Sequence, residues 1–196
     1  MNKRQFLATA ALSATLPLQA AKAATRPGSG PGPVLLTLTG AIGKSNRGAL
    51  DPALDQMMYK QKVTFDRALA LTFADLLALP GATIRPTLEY DGKPHTLSGP
   101  LLADVLHFAG VDAADSATVY LRAIDGYTVA PTLAQVRQYR FILATHLDGK
   151  PMALGSLGPL WAVYDADHLP EFASRPLNER FALCPWGTYH IEIKRA

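Results

Sequence analysis

The sequence predicts an α+β fold with a mixed, largely antiparallel sheet and short helices, and three observations carry that expectation. Its apolar runs, rich in β-branched and aromatic residues, are short, as at 117–124, 141–146 and 160–164. Asp125-Gly126 and Asp148-Gly149 punctuate them, and glycine supplies the positive φ that a tight turn needs. The helix candidates are short and do not alternate with strands in a regular βαβ order. The three runs read as three strands of one sheet, whose turns project Asp125, Tyr127 and the loop 155–159 toward a ligand.

Taken in order, residues 1–23 read as an export signal. Lys3 and Arg4 give the charged end, 6–18 is apolar, and Ala21-Lys22-Ala23 is a small-x-small site with cleavage expected after Ala23. The run is too short to stay in a bilayer as an anchor. Lys3-Arg4-Gln5-Phe6-Leu7 resembles a twin-arginine signal with lysine in the first arginine's place. The expected destination is the periplasm. Residues 24–33, rich in glycine and proline, read as a flexible leader, and 34–196 as a single domain.

Within that domain, 34–40 alternates apolar residues with threonine and reads as the first strand. Residues 43–58 form a long loop with one helical turn near 52–57, a length that in a compact domain points to function. Its Met57-Met58-Tyr59 is a lid over a site or, the plainer alternative, loop packing. A strand is expected over 63–71, then a short helix capped by Thr72, with Asp75 in its first turn and Pro80-Gly81 as its stop. A strand over 84–90 turns at Asp91-Gly92, and a helix over 101–109 ends at Gly110.

Charge removes one class of function. Taking Lys3, Arg4 and Lys22 from the 19 basic residues leaves 16, equal to the 16 acidic ones, so the exported domain is near neutral. It lacks the clustered Lys and Arg that neutralise nucleic-acid phosphates. The single cysteine, Cys184, makes no internal disulfide and reads as a small buried residue. Asp165-Ala-Asp167-His168 offers oxygen and nitrogen donors within four residues, but no second cluster completes a metal site. No Gly-x-Ser-x-Gly elbow and no phosphate loop is present.

Several segments together resemble one family. Ala-Ile-Asp125-Gly-Tyr127-Thr-Val, then Ile-Leu-Ala-Thr-His146-Leu-Asp-Gly-Lys-Pro-Met and Gly158-Pro-Leu-Trp161-Ala-Val-Tyr, with Gly99-Pro-Leu-Leu-Ala-Asp-Val-Leu-His-Phe-Ala-Gly110 upstream and Trp186 five residues before Ile191, resemble the molybdopterin-binding domain of the sulfite oxidase family. The resemblance runs from about Leu36 to Ile193 and implies that family's fold, an oxidoreductase activity and a molybdopterin cofactor. It also implies a protein cysteine on the metal, near Thr87 or Leu88, where neither residue supplies a thiolate. The family's Asn-His segment ahead of the first strand is replaced by the Gly/Pro leader, and Trp161 stands where arginine is usual. No residue is therefore assigned as a metal ligand.

What the resemblance retains is Tyr127, which matches the family's active-site tyrosine and whose phenol is suited to donating to an oxyanion or oxo group. Packing is an equal alternative for it. Asp125 closes the turn through its side chain. Arg122 meets an anionic ligand or is simply solvated, and Gly155, Ser156 and Gly158 make a backbone nest for an anion or a plain turn. Two functions follow: an exported oxidoreductase using a pterin in the pocket around Tyr127, or a cofactor-free periplasmic module that binds a small ligand or a partner such as a membrane-bound redox or sensor protein.

Overall fold

In a computed structural model of the chain, residues 32–196 are described. The export signal and all but the last two positions of the leader lie outside them. The strands are β1 Val34–Gly40, β2 Leu69–Thr72, β3 Gly81–Ile84, β4 Leu97–Pro100, β5 Thr118–Ala123, β6 Thr128–Val129, β7 Ile142–Ala144, β8 His146–Leu147, β9 Lys150–Pro151, β10 Trp161–Val163 and β11 Thr188–Lys194. The helices are α1 Gln56–Lys60, α2 Phe73–Leu77, α3 Leu102–Phe108, α4 Leu133–Gln138 and α5 Pro170–Ala173.

Five strands form the main sheet in the order β2-β1-β11-β5-β6, with β1 and β11 parallel and the other pairs antiparallel. A second antiparallel sheet runs β3-β4-β8-β9, and β7 pairs with β10 in a separate ribbon. The fold is α+β and mixed, as the sequence indicates. The reason lies in period-two patterning: Leu36, Leu38, Leu69, Leu71, Val119, Leu121, Ile191 and Ile193 alternate onto one sheet face and are almost wholly buried. They pack with α3, through Leu102, Val105 and Leu106, and with the β7–β10 ribbon. Each such side chain stabilises the fold by about 1.5–3 kcal/mol relative to exposure. Thr72 and Asp75 make a reciprocal capping box on α2, and Thr132 and Gln135 repeat it on α4.

Four expectations change. The runs 117–124, 141–146 and 160–164 do not share one sheet: β5 lies in the main sheet while β7 and β10 pair with each other. The Asp-Gly turns do close hairpins, β5 with β6 and β8 with β9, but short local partners take the positions that the longer runs were expected to fill. Strand 63–71 shrinks to β2, because polar Thr64, Asp66 and Arg67 leave the sheet. Strand 84–90 moves back to β3, since Pro86 has no amide donor and the Thr87 N–H goes to Asp167 Oδ2 at 2.7 Å. The helical turn in the long loop is α1, with Met58 packed against Val63 and Tyr189 while Met57 is exposed.

Candidate functional site

Three chain segments wall a cavity of about 260 Å³. The first is the β5–β6 turn. Asp125 Oδ1 accepts from the Tyr127 N–H at 2.9 Å, Gly126 takes φ +92°, and the turn throws the Tyr127 ring outward, half exposed. The Tyr127 hydroxyl then crosses the opening and donates to the Ala182 carbonyl at 2.7 Å.

The second wall is 181–187. Trp161 Nε1 donates to the Cys184 carbonyl at 2.9 Å, Cys184 N donates to Phe181 O at 2.9 Å, and Thr188 Oγ1 donates to Pro185 O at 2.6 Å. These bonds fix the segment against the core, with the Phe181 ring against Trp161 and Tyr164. Cys184 and Trp186 face the cavity from it. The third wall is Glu89-Tyr90, anchored by the buried Leu88, whose N–H and C=O bond to Lys93 and Gly92.

The chemistry of the lining is specific. Glu89 and Asp125 bring two carboxylates, and Tyr90, Tyr127 and Trp186 bring aromatic surface that is 55%, 51% and 38% exposed. No Lys, Arg or His is among the lining residues. Burial together with the Glu89 charge pushes the Tyr90 hydroxyl up to about 12, so it stays protonated at neutral pH. Burial pushes the Cys184 thiol well above its usual range, and the Glu89 charge adds to this. Cys184 is therefore a protonated thiol rather than a thiolate. What such a lining offers chemically is aromatic ring faces and two carboxylates without a cation.

The residues picked from sequence separate into two groups. Tyr127 and Asp125 line the cavity. Arg122 is on β5 outside the lining, where it donates to Thr128 Oγ1 at 3.0 Å and faces His190 across the strand pair. Gly155, Ser156 and Gly158 are also outside it. Ser156 donates both its N–H and its hydroxyl to the Ala153 carbonyl, at 3.2 and 2.8 Å, and the Gly158 Cα faces Met152 too closely for a Cβ to fit. The 154–158 segment is thus a turn closed on itself, joined to the cavity wall only where the Gly187 N–H meets Leu157 O at 3.2 Å. Thr87 and Leu88 do not line the cavity, although the next two residues do.

Asp165 and Asp167 act as staples. Asp165 accepts from the Arg85 N–H and pairs with His168, while Asp167 accepts from the Thr87 N–H and pairs with Arg180. Among the described residues no group of three or more His, Cys, Asp or Glu is placed to hold a metal ion. Sequence reasoning missed Glu89, Tyr90 and Trp186. The available signal was an aromatic residue next to a turn, Tyr90 before Asp91-Gly92 and Trp186 before Gly187, since an apolar ring beside a tight turn has little core within reach.

A buried polar rung was missed as well. His190 sits opposite Arg122 on the sheet face away from the main core, with its Nε2 and Thr39 Oγ1 3.0 Å apart. Burial, then the neighbouring Arg122 charge, brings His190 down to about 4. Among the described residues, His190 Nδ1 and Arg122 Nε find no hydrogen-bond partner.

No family model matches this chain, and no curated protein matches it. Among solved structures, the sulfane dehydrogenase SoxCD from Paracoccus pantotrophus superposes on 82% of this chain with a TM-score of 0.53 at 14% sequence identity. This chain spans 38% of the length of that one. At that identity the likeness is one of fold: most of this chain shares the architecture of part of a dehydrogenase.

Proposed function

We propose that this chain is an exported, cofactor-independent module that binds a small ligand in the cavity under Tyr127, on a scaffold it shares with oxidoreductases. The observation that carries this is the lining: two carboxylates, three exposed aromatic rings and no cation. A molybdopterin, which the sulfite oxidase resemblance implies, carries anionic phosphate and dithiolene groups, and such groups are held by Arg, Lys or free backbone amides. Here a phosphate within about 4 Å of a carboxylate would meet a repulsion of up to about 4 kcal/mol at a protein surface. Burial and the Glu89 charge favour the protonated form of the one thiol lining the cavity, so a metal binding there would have to displace that proton beside a carboxylate. The residues present do not fit that cofactor.

Binding on this geometry works through the strap. Tyr127 closes the cavity by its bond to Ala182, while Thr128 Oγ1 on the Gly126 carbonyl and Gln61 Nε2 on the Ile124 carbonyl hold the turn behind it, so the ring rather than the backbone is the part that moves. A ligand enters beside Trp186, and Tyr127 then closes with its ring over the ligand. Export to the periplasm completes the reading, supported by the amino-terminal charge and apolar pattern.

The second reading, an oxidoreductase holding a pterin, has one observation in its favour: Cys184 lines the same cavity as Tyr127. Native mass spectrometry of the protein isolated from its own cell envelope separates the two. A free chain, or one carrying a small organic adduct, is expected. A stoichiometric adduct with the mass of a metal-bearing pterin would overturn the module.

A further inference from the structure

The same lining narrows the class of ligand. We infer that the cavity selects an organic cation, a methylated ammonium group seated among Tyr90, Tyr127 and Trp186 with Glu89 and Asp125 as its counter-charges. This rests on the binding-module reading above and goes beyond it by naming the charge and type of the ligand.

Two independent observations lead to it. One is electrostatic. The lining holds two carboxylates, Glu89 and Asp125, and no Lys, Arg or His beside them. Two cations near these segments are engaged elsewhere: Arg122 donates to Thr128 Oγ1 at 3.0 Å, and Arg180 pairs with Asp167 at 2.9 Å and donates to Arg175 O at 3.0 Å. An anionic ligand therefore finds no cation in the cavity and only the neutral donors of Asn178, Tyr90 and Trp186, whereas a cationic one finds two carboxylates.

The other observation is the placement of aromatic surface. Large aromatic rings are ordinarily buried, and in this protein Trp161, Tyr164 and Phe141 are. Tyr90, Tyr127 and Trp186 are exposed, and all three border one cavity. Ring faces attract a cation through their quadrupole, and quaternary ammonium groups are the ligands that aromatic cages of this composition recognise. A strongly hydrated metal cation is a poorer fit, because it needs several converging oxygen donors rather than ring faces. At about 260 Å³ the space lies just below the ~300–1,000 Å³ of sites for drug-sized ligands, which suits a headgroup-sized cation.

Tryptophan fluorescence reads the test directly, since Trp186 borders the cavity while the other tryptophan, Trp161, is 1% exposed. The full exported chain is titrated with choline, with its uncharged carbon isostere dimethylbutanol, and with acetate. Saturable choline binding is expected, with dimethylbutanol about tenfold weaker, the factor a cation–π contact with a counter-charge supplies, and with no acetate binding. Glu89→Gln and Asp125→Asn keep the side-chain shapes and should each weaken choline several-fold, and raised salt should do the same. Equal affinity for choline and dimethylbutanol would overturn the cation assignment while leaving a binding module standing. Failure of choline to bind at millimolar concentration would overturn it as well. Flotation with phosphatidylcholine vesicles, compared with free choline, then assigns the cation to a lipid headgroup if the protein floats and to a soluble molecule if it does not.

Discussion

The cavity under Tyr127 and the glycine-rich turn at 154–158 lie on either side of Trp186-Gly187, and they use their polar groups in opposite ways. In the turn, Ser156 gives its amide and hydroxyl to one carbonyl, and Gly158 is pressed against Met152. At the cavity, Glu89 and the Tyr90 and Trp186 rings face open space. A loop with many glycines looks like a binding loop, yet glycine also serves where backbone must pass close to backbone. On the proposed reading, ligand binding falls to the segment whose rings stay exposed at the cavity.

The comparison breaks or sharpens through substitutions on each side. Across the sheet that supports both, His190 sets the largest effect. Its folded value is near 4 against an ordinary 6.5, so between those pH values the unfolded chain binds the extra proton and stability rises with pH. Stability should therefore fall by on the order of 3 kcal/mol as pH drops through that window. Urea unfolding at stepped pH, with His190→Gln as reference, checks it: the variant should lose most of that slope.

Next comes Gly158→Ala. The new Cβ would lie 2.4 Å from Met152 Cβ and 2.7 Å from its carbonyl oxygen, so the backbone must shift at a cost of about 1–3 kcal/mol. Denaturation midpoints should drop while the choline affinity of the folded protein stays within twofold. Trp186→Ala should do the reverse, lowering choline affinity about tenfold with less loss of stability than Gly158→Ala, since the ring is 38% exposed. Fluorescence cannot follow this variant, so calorimetric titration is the measurement. An equal loss of stability in both would dissolve the contrast between the two segments.

Smaller effects refine the picture. Tyr127→Phe removes the bond to Ala182 and keeps the ring, so stability should fall by about 0.5–1.5 kcal/mol, and choline should both bind and leave faster as the strap loosens. Stopped-flow mixing resolves this. Ser156→Ala should change stability by no more than about 0.5 kcal/mol and leave choline binding untouched; lost choline binding there would contradict the separation of the turn from the cavity.

Much of the fold was legible because it follows from period and punctuation. The alternation in β1 and the cap at Thr72 are local signals, and each reappears in the structure. Pairing was not legible, since β7 and β10 chose each other over β5 through contacts that no local pattern records. At the site, Asp125-Gly126-Tyr127 was visible as a turn with a phenol on it. Glu89, Tyr90, Cys184 and Trp186 come from segments about a hundred residues apart, and only the folded chain brings them to one cavity. The buried His190 was hidden for the same reason: its cost depends on Arg122 lying opposite it.

Molybdenum content per chain, measured by elemental analysis on protein isolated from its own cell envelope, tests the central claim most directly. A cavity that carries two carboxylates and a protonated thiol should yield far less than one molybdenum per chain even when the cells are supplied with molybdate. One molybdenum per chain, lost on Cys184→Ser, would contradict the account.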